Sequence, residues 1–271
     1  MRKTIGFLLF YILFCIFPMH LSAAKILYYV DTAAIGEDSV IKALQELSSA
    51  HEYVVSSTKN EFENELAQNS YDLVILSLQD KKRTTSDFPA FVDHVNNNGK
   101  VIFSDANMDE SFASFLGFAY TGSVNQPFVD ITDVDLKKGI EENPFLLYNP
   151  GYITWSMGLV PTERTMALFS NGEAAIIMTS ENITISGYLV DTLSQPSSSA
   201  GRFTRASIAS ASMLVKNTIL YTLDPPQQSA PPAVALPISL HAKMIMVLLF
   251  ALSGMMAIGR KRRNQLQGRQ L

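Results

Sequence analysis

Cysteine is nearly missing from this sequence: among 271 residues the only one is Cys15, which lies in the first apolar run. That run, residues 5–17, follows two basic residues and precedes small residues at 22–24, a pattern typical of a signal peptide cleaved after Ala24. The mature chain would then contain no cysteine. Disulfides, thiolate metal sites and a cysteine nucleophile are therefore excluded from the expected function.

Glycine-rich phosphate loops are also missing. The chain contains neither Gly-x-x-x-x-Gly-Lys nor Gly-x-Gly-x-x-Gly, so neither type of nucleotide-binding loop is expected. All 25 acidic residues lie between Asp31 and Asp224, a stretch that holds only 12 of the 21 lysines and arginines. Because such an acidic region repels phosphate backbones, we expect no nucleic-acid partner. The sequence also indicates no cofactor and no metal.

The C-terminal end has the composition of a membrane segment. A proline-rich linker covers residues 224–236, and residues 244–259 are all apolar or small. Counted from residue 236, the stretch reaches the length of about 20 residues that a bilayer-spanning helix needs. A basic cluster closes it, formed by Arg260, Lys261, Arg262 and Arg263. Because such clusters favour the cytoplasmic side, we expect the acidic domain outside the cytoplasm.

The same segment resembles a family of bacterial sorting signals. The motif Pro237-Ile238-Ser239-Leu240 precedes the apolar stretch and the basic end, as in IPTL-CTERM and PEP-CTERM domains, where Ile-Pro-Thr-Leu would stand. The resemblance implies processing by an exosortase-type membrane enzyme. Two outcomes stay open: anchoring in the cytoplasmic (inner) membrane with the domain on the periplasmic side, or sorting to the cell surface.

Between these two signals, the first half of the sequence alternates short apolar runs with amphipathic stretches. Strands are expected at 25–30, 53–56, 71–77 and 100–105, each bounded by polar residues. Helices are expected after residue 36, over 61–68 and around 88–95, where apolar side chains recur at helical spacing. This β-α order predicts an α/β fold with a parallel sheet and helices on both faces.

The second half of the sequence has more strand signal. Strands are expected at 128–131, 165–169, 174–178 and 184–188. Asn171-Gly172 is typical of a hairpin turn between two of them. A long helix is expected over 206–223, with apolar residues available for burial.

The layout of residues 25–223 resembles the class I glutamine amidotransferase-like superfamily, in particular its trehalose-utilisation-type branch. Segments 71–76, 98–103, 135–140 and 187–193 carry the resemblance. It implies a flavodoxin-like architecture with a mainly parallel sheet. It also implies a cysteine on a strand-to-helix elbow beside a histidine and an acid, and this sequence has no such cysteine.

Other nucleophiles and bases are few in the domain. Ser77 and Ser104 follow apolar strands, but neither has the flanking glycines of a serine elbow. His51 and His94 are the histidines of the mature domain, and we interpret both as surface residues.

Acidic residues supply the remaining candidate chemistry. Asp31, Asp80 and Asp105 each lie near the carboxyl end of a predicted strand, where open α/β sheets build their ligand crevice, and Asp109 and Glu110 follow soon after. Clustered carboxylates can raise one another's pKa for general acid catalysis or hold a divalent cation. The alternative, which we favour, is that Asp105 and Asp109 cap the next helix.

Aromatic residues mark a second candidate site. Tyr148, Tyr152 and Trp155 lie close together in sequence, and their rings can stack on the CH groups of a sugar. The alternative is that these side chains pack a loop onto the core.

Two functions stay open. The first is a non-catalytic envelope protein, membrane-anchored or sorted, that binds a glycan or a protein partner through a degenerate amidotransferase-like domain. The second is a carboxylate-dependent hydrolase or isomerase that acts on an extracytoplasmic carbohydrate-like substrate. The expected organisation is a signal peptide (1–24), an α/β domain (25–223), a linker (224–236), a transmembrane sorting segment (237–263) and a cytoplasmic tail (264–271).

Overall fold

The computed structural model describes residues 23–32, 38–79, 82–124, 128–141, 143–146, 156–191 and 205–225. All of them belong to the compact unit Met1–Pro225. The apolar run of the predicted signal peptide, the sorting motif at 237–240 and the basic cluster at 260–263 lie outside the described residues. Within the described ranges, no helix has both the length and the apolar character to cross a bilayer.

The helices and strands follow the predicted alternation in the first half of the domain. The described α-helices are α1 (Ser39–Leu47), α2 (Lys59–Gln68), α3 (Pro89–Asn96), α4 (Glu110–Leu116) and α5 (Arg205–Leu223), with a 3-10 helix at Thr85–Asp87. The described strands are β1 (Lys25–Val30), β2 (Glu52–Ser56), β3 (Leu73–Leu78), β4 (Lys100–Asp105), β5 (Tyr120–Ser123), β6 (Phe128–Ile131), β7 (Phe145–Leu146), β8 (Met157–Leu159), β9 (Thr165–Phe169), β10 (Ala174–Ser180) and β11 (Ile183–Ser186).

These strands form one sheet in the order β2-β1-β3-β4-β11-β10-β9-β6-β7, with β8 pairing β10 and β5 pairing β8. The pairs from β2 to β11 are parallel, whereas every pair beyond β11 is antiparallel. The α/β class is confirmed, but the expectation of a mainly parallel sheet was wrong for the second half. The physical reason is the short connections there. Tight turns such as the one at Gly172, whose φ is 86°, join antiparallel neighbours, since a parallel crossover needs a dozen or more residues.

Helices cover both faces of the sheet, as predicted. Successive residues of β1 point to opposite faces: Ile26 and Tyr28 pack with α1 and α5, while Leu27 and Tyr29 pack with α2, α3 and α4. We call the first layer the aliphatic face and the second the aromatic face, because phenylalanine rings pack against one another in the second. Those rings belong to Phe62, Phe88, Phe91, Phe103 and Phe112.

Three described strands of the domain were not predicted: β5, β7 and β8. Strands β5 and β8 are short and pair with each other, so neither shows a long run of alternating residues. A Cβ atom at Gly158, in the middle of β8, would collide with the side chains of Thr121 and Glu173. The glycine therefore permits the close approach of β8 to its neighbours.

Candidate functional site

The sheet reverses its strand order between β1 and β3, which lie side by side while β2 lies on the other side of β1. In open α/β sheets, ligands bind at the carboxyl ends of the strands at such a switch point. Asp31 follows β1 and Gln79 follows β3. The Asp31 carboxylate accepts a hydrogen bond from the Gln79 backbone amide at 2.7 Å, so it joins the two strand ends across the switch point.

A buried polar chain lies beside this point. Ser104 on β4 donates to the Ser77 hydroxyl at 3.2 Å, and Ser77 on β3 donates to Asp191 Oδ1 at 3.0 Å. All three residues are buried, and Asp191 and Ser77 are 0% exposed. The second carboxyl oxygen, Asp191 Oδ2, is buried and has no hydrogen-bond partner among the described residues. A buried carboxyl with an unpaired oxygen destabilises the fold least when it is neutral, because a buried charge loses its hydration.

Electrostatics at Asp191 favour the neutral form. Burial raises the pKa of this carboxyl to about 7, and the negative charges of Asp38 and Asp31 add to the shift. The hydrogen bonds that the carboxyl accepts from Ser77 and from the backbone amide of Asp191 itself oppose the shift. Asp38 is the N-cap of α1, where it accepts from the amides of Val40 and Ile41 and from the Tyr28 hydroxyl. Burial also raises the pKa of Asp38.

A second group of acids lies in the turn between β4 and α4. The Asp105 carboxylate accepts from the amides of Asn107 and Asp109 at 2.8 and 2.9 Å, and Asp109 caps α4 by accepting from the Ser111 amide. The expected capping role is thus seen at Asp109, while Asp105 holds the turn. Burial raises the pKa of Asp105, although both amides oppose the shift. The residue with left-handed backbone in this turn is Met108, with φ of 52°.

The structure therefore divides the predicted acids. Asp31 acts together with Asp38 and Asp191, whereas Asp105 and Asp109 contact each other in the β4–α4 turn. Glu110 is exposed at the start of α4, and within the described ranges its side chain makes no hydrogen bond to either group. Sequence reasoning did not single out Asp38 or Asp191 as site residues.

The two histidines lie at the other end of the parallel strands. His51 precedes β2, and its Nδ1 accepts from the Ala24 amide at 3.2 Å. His94 lies 3.2 Å from the carbonyl of Lys100, the first residue of β4, and burial lowers its pKa. The interpretation as surface residues was wrong in detail, because both rings are half-buried and hydrogen-bonded at the amino ends of β1 and β4.

The other predicted site residues lie outside the described ranges. These are Asp80, Tyr148, Tyr152 and Trp155, together with Pro237, Ile238, Ser239 and Leu240 of the sorting motif and Arg260, Lys261, Arg262 and Arg263 of the basic cluster. Over the described residues, no group of three or more histidines, cysteines and acids is placed to hold a metal ion.

Comparisons with known proteins concern the fold. No protein-family model and no curated protein matches the chain. Among solved structures it is similar to a glutamine amidotransferase from Thermotoga maritima, at 9% identity and a TM-score of 0.47 over 74% of this chain and 98% of that one. It is also similar to a glutamine amidotransferase from Methylobacillus flagellatus, at 8% identity and a TM-score of 0.44 over 75% of this chain and 94% of that one. At such identities the function has to be argued from the site itself.

Proposed function

We propose that the chain is an exported, non-catalytic protein of the bacterial envelope that binds a glycan or a protein partner. The turn between β4 and α4 carries the proposal. Its left-handed position, where a hydrolase elbow holds the nucleophile, is occupied by Met108, whose thioether has no proton for a base to remove. Of the acids beside it, Asp105 accepts from backbone amides of the turn and Asp109 accepts from the amide of Ser111 in α4.

The histidine positions support binding rather than turnover. A general base has to lie within hydrogen-bond reach of the group that it activates. His51 and His94 bind backbone groups at the amino ends of the strands, away from Met108 and the carboxyl ends. Neither imidazole is therefore placed to activate a nucleophile in the β4–α4 turn.

Export and membrane attachment are part of the same proposal and rest on the sequence signals at both ends. Intact mass spectrometry of the protein from separated cell fractions tests them. A chain that starts at Lys25 and ends at Leu271 in the inner-membrane fraction would mean simple anchoring. A chain that ends near Pro237 would mean sorting by an exosortase-type enzyme. A chain that starts at Met1 in the cytoplasmic fraction would contradict export.

Glycan binding can be followed through the single tryptophan, Trp155. Titration with fragments of envelope polysaccharide should give a saturable change in tryptophan fluorescence if this residue stacks on a sugar. We expect Tyr152→Ala to weaken that binding. Phe128→Ala, which removes an aromatic ring that is 44% exposed on β6, serves as the control and should leave binding unchanged. No response to any fragment, together with saturable binding of a purified envelope protein, would favour the protein partner.

One observation favours the alternative, a carboxylate-dependent hydrolase or isomerase for an extracytoplasmic carbohydrate-like substrate. Burial raises the pKa of Asp105, and a general acid needs a raised pKa. Asp105→Asn tests it in a turnover screen with carbohydrate-like substrates. Loss of a measured turnover with unchanged folding would establish catalysis. A variant that folds and keeps the cellular function would support the binding role.

A further inference from the structure

Asp191 is enclosed by the protein. It is 0% exposed, and so is its hydrogen-bond donor Ser77, while Ser104 behind it is 1% exposed. A sugar, a peptide or a hydrated metal ion is too large to reach such a carboxyl without opening the fold. A proton, passed through transient water or hydroxyl groups, is the ligand that fits this enclosure.

The hydrogen bonds leave one place for that proton. Ser104 donates to Ser77 and Ser77 donates to Asp191 Oδ1, so both hydrogen bonds in this series are donated in the direction of the carboxyl group. Within the described part of the chain, Asp191 Oδ2 has no hydrogen-bond partner. Since one oxygen accepts and the other has none, the proton of the neutral form belongs on Oδ2.

Among the described groups that face Asp191, those that carry charge are negative and the others are neutral hydroxyls. From the end of β1 come Tyr28 and Asp31, and from the start of α1 comes Asp38. Strands β3 and β4 present the uncharged hydroxyls of Ser77 and Ser104. None of these groups offers a positive charge that would offset ionisation of Asp191, and the two aspartates oppose it.

The main chain of Asp191 connects this carboxyl to a helix. Its carbonyl oxygen accepts a hydrogen bond from the amide of Ser39, the first residue of α1, at 3.1 Å. Asp38, which caps the same helix end, is one of the charges that act on Asp191. Asp191 therefore binds the start of α1 through its backbone carbonyl, while its side chain is buried next to Ser77 and close to Asp31 and Asp38.

We propose that Asp191 is a proton-binding site and that its protonation stabilises the contact between the start of α1 and the segment 187–191, which follows β11. In the neutral form the serine chain is satisfied and no buried charge repels Asp38. In the ionised form an enclosed charge faces two acids, and separation of α1 from Asp191 relieves the repulsion. The protein thus holds this edge firmly in acid and loosely in alkali, whatever its ligand is.

Infrared spectroscopy of the full chain tests whether Asp191 binds the proton. A protonated carboxyl has a carbonyl band that an ionised one lacks, so we expect a band that disappears on titration through neutral pH and is missing in Asp191→Asn. Ser77→Ala removes the hydrogen bond that favours the ionised form, and it should move the midpoint to higher pH. A band that is lost only at strongly acidic pH, where exposed acids titrate, would overturn the proposal, and the wild-type titration decides this even if Asp191→Asn does not fold.

Hydrogen exchange of the same full chain tests the coupling to α1. After correction for the intrinsic exchange rates, the protection of the amides of residues 39–41 should fall about tenfold per pH unit between about pH 4, the ordinary pKa of an aspartate, and the midpoint, because opening releases the Asp191 proton over that range, and the loss should level off above the midpoint. Asp191→Asn, fixed in the neutral form, should keep its protection at high pH. Asp109→Asn, at the cap of α4 on the other face, is the matched control and should behave like wild type. Equal loss of protection in wild type and Asp191→Asn would overturn the proposal.

Discussion

The two faces of the sheet are packed by different chemistry. On the aromatic face, the ring of Phe112 lies 4.9 Å from that of Phe103 and 6.1 Å from that of Phe88, between centroids, and Phe88 in turn contacts Tyr29. On the aliphatic face, buried polar groups pair instead. Thr184 on β11 and Thr222 on α5 share a hydrogen bond at 2.9 Å.

The enclosed Asp191 belongs to the aliphatic side, whereas the buried Asp105 and Asp109 precede α4 of the aromatic face. Ser77 and Ser104 each lie two residues after Ile75 and Ile102, so their side chains point to the same face of the sheet, where α1 and α5 pack. Asp38 caps α1 on this face. The stability that ring packing contributes does not depend on protonation, whereas the stability that a buried carboxyl contributes does. We therefore expect the ring packing of the aromatic face to contribute a stability that is constant with pH, and Asp191 on the aliphatic face to contribute one that changes with pH.

The largest expected effect is on the aromatic face. Phe112 is completely buried among Phe88, Phe91 and Phe103, so Phe112→Ala should lower the free energy of unfolding by about 3–5 kcal/mol. Ile219→Val on α5, a small deletion on the aliphatic face, should cost about 0.5–1.5 kcal/mol. Urea unfolding of both variants measures the difference. If the two variants lost equal free energies of unfolding, the expectation that the ring cluster contributes most to stability would be contradicted.

The next effect is on the aliphatic face and depends on pH. Because the pKa of Asp191 is raised to about 7 in the folded state, the native protein binds more protons than the unfolded chain between about pH 4 and 7. Its contribution is complete below pH 4 and is lost as the pH rises through 7. Asp191→Asn should therefore be more stable than wild type at pH 8, by a few kcal/mol in order of magnitude, and close to wild type at pH 5. Phe112→Ala should lose the same amount at both pH values.

Helix caps give a smaller and matched comparison. Asp38 caps α1 on the aliphatic face and Thr58 caps α2 on the aromatic face. Replacement of either by alanine should cost about 1 kcal/mol at pH 5. At pH 8 the cost of Asp38→Ala should shrink, since the change also removes a charge that repels Asp191, while that of Thr58→Ala should not. Denaturant midpoints at the two pH values would show this, and a parallel change in both variants would contradict it.

The smallest effect should come from the surface ion pairs, where the two faces do not differ. Lys216 and Glu46 join α5 to α1 at 3.1 Å, and Lys59 and Asp87 form a pair at 3.6 Å beside α2. Their side chains are partly exposed, so Lys216→Ala and Lys59→Ala should each change the stability by less than about 1 kcal/mol. High salt should remove even this difference in a thermal melt. A larger loss in either variant would mean that packing of the lysine stem contributes as well.

Local patterns predicted the regular elements of the domain well. Strands β1, β4, β6 and β9 have the bounds that were predicted for them, because each is a short apolar or alternating run between turn residues. Strands β5 and β8 were not predicted, because their hydrogen bonds are made to strands that are distant in sequence. The parallel or antiparallel direction of the later strands was also decided by pairing, which a single run of residues does not encode.

The candidate site was only half predictable for the same reason. Ser77 and Ser104 stand out in the sequence as polar residues at the ends of apolar strands, and Asp105 and Asp109 precede a helix. Asp191 shows no local signal, since its hydrogen bond to Ser77 joins residues that are 114 positions apart. The raised pKa of Asp191 comes from burial by that long-range packing and from Asp38 and Asp31, which belong to other parts of the chain.

The sequence by itself therefore determined the α/β class, the alternation of elements in the first half, the lack of a cysteine nucleophile in the domain and the expectation of export and anchoring. Those properties depend on neighbouring residues and composition. The tertiary structure decided that the sheet is mixed, that the histidines lie away from the carboxyl edge, and that Asp191 is enclosed with its serines and facing acids. These depend on which distant segments exclude water from one another, because desolvation and charge act through space and not along the chain.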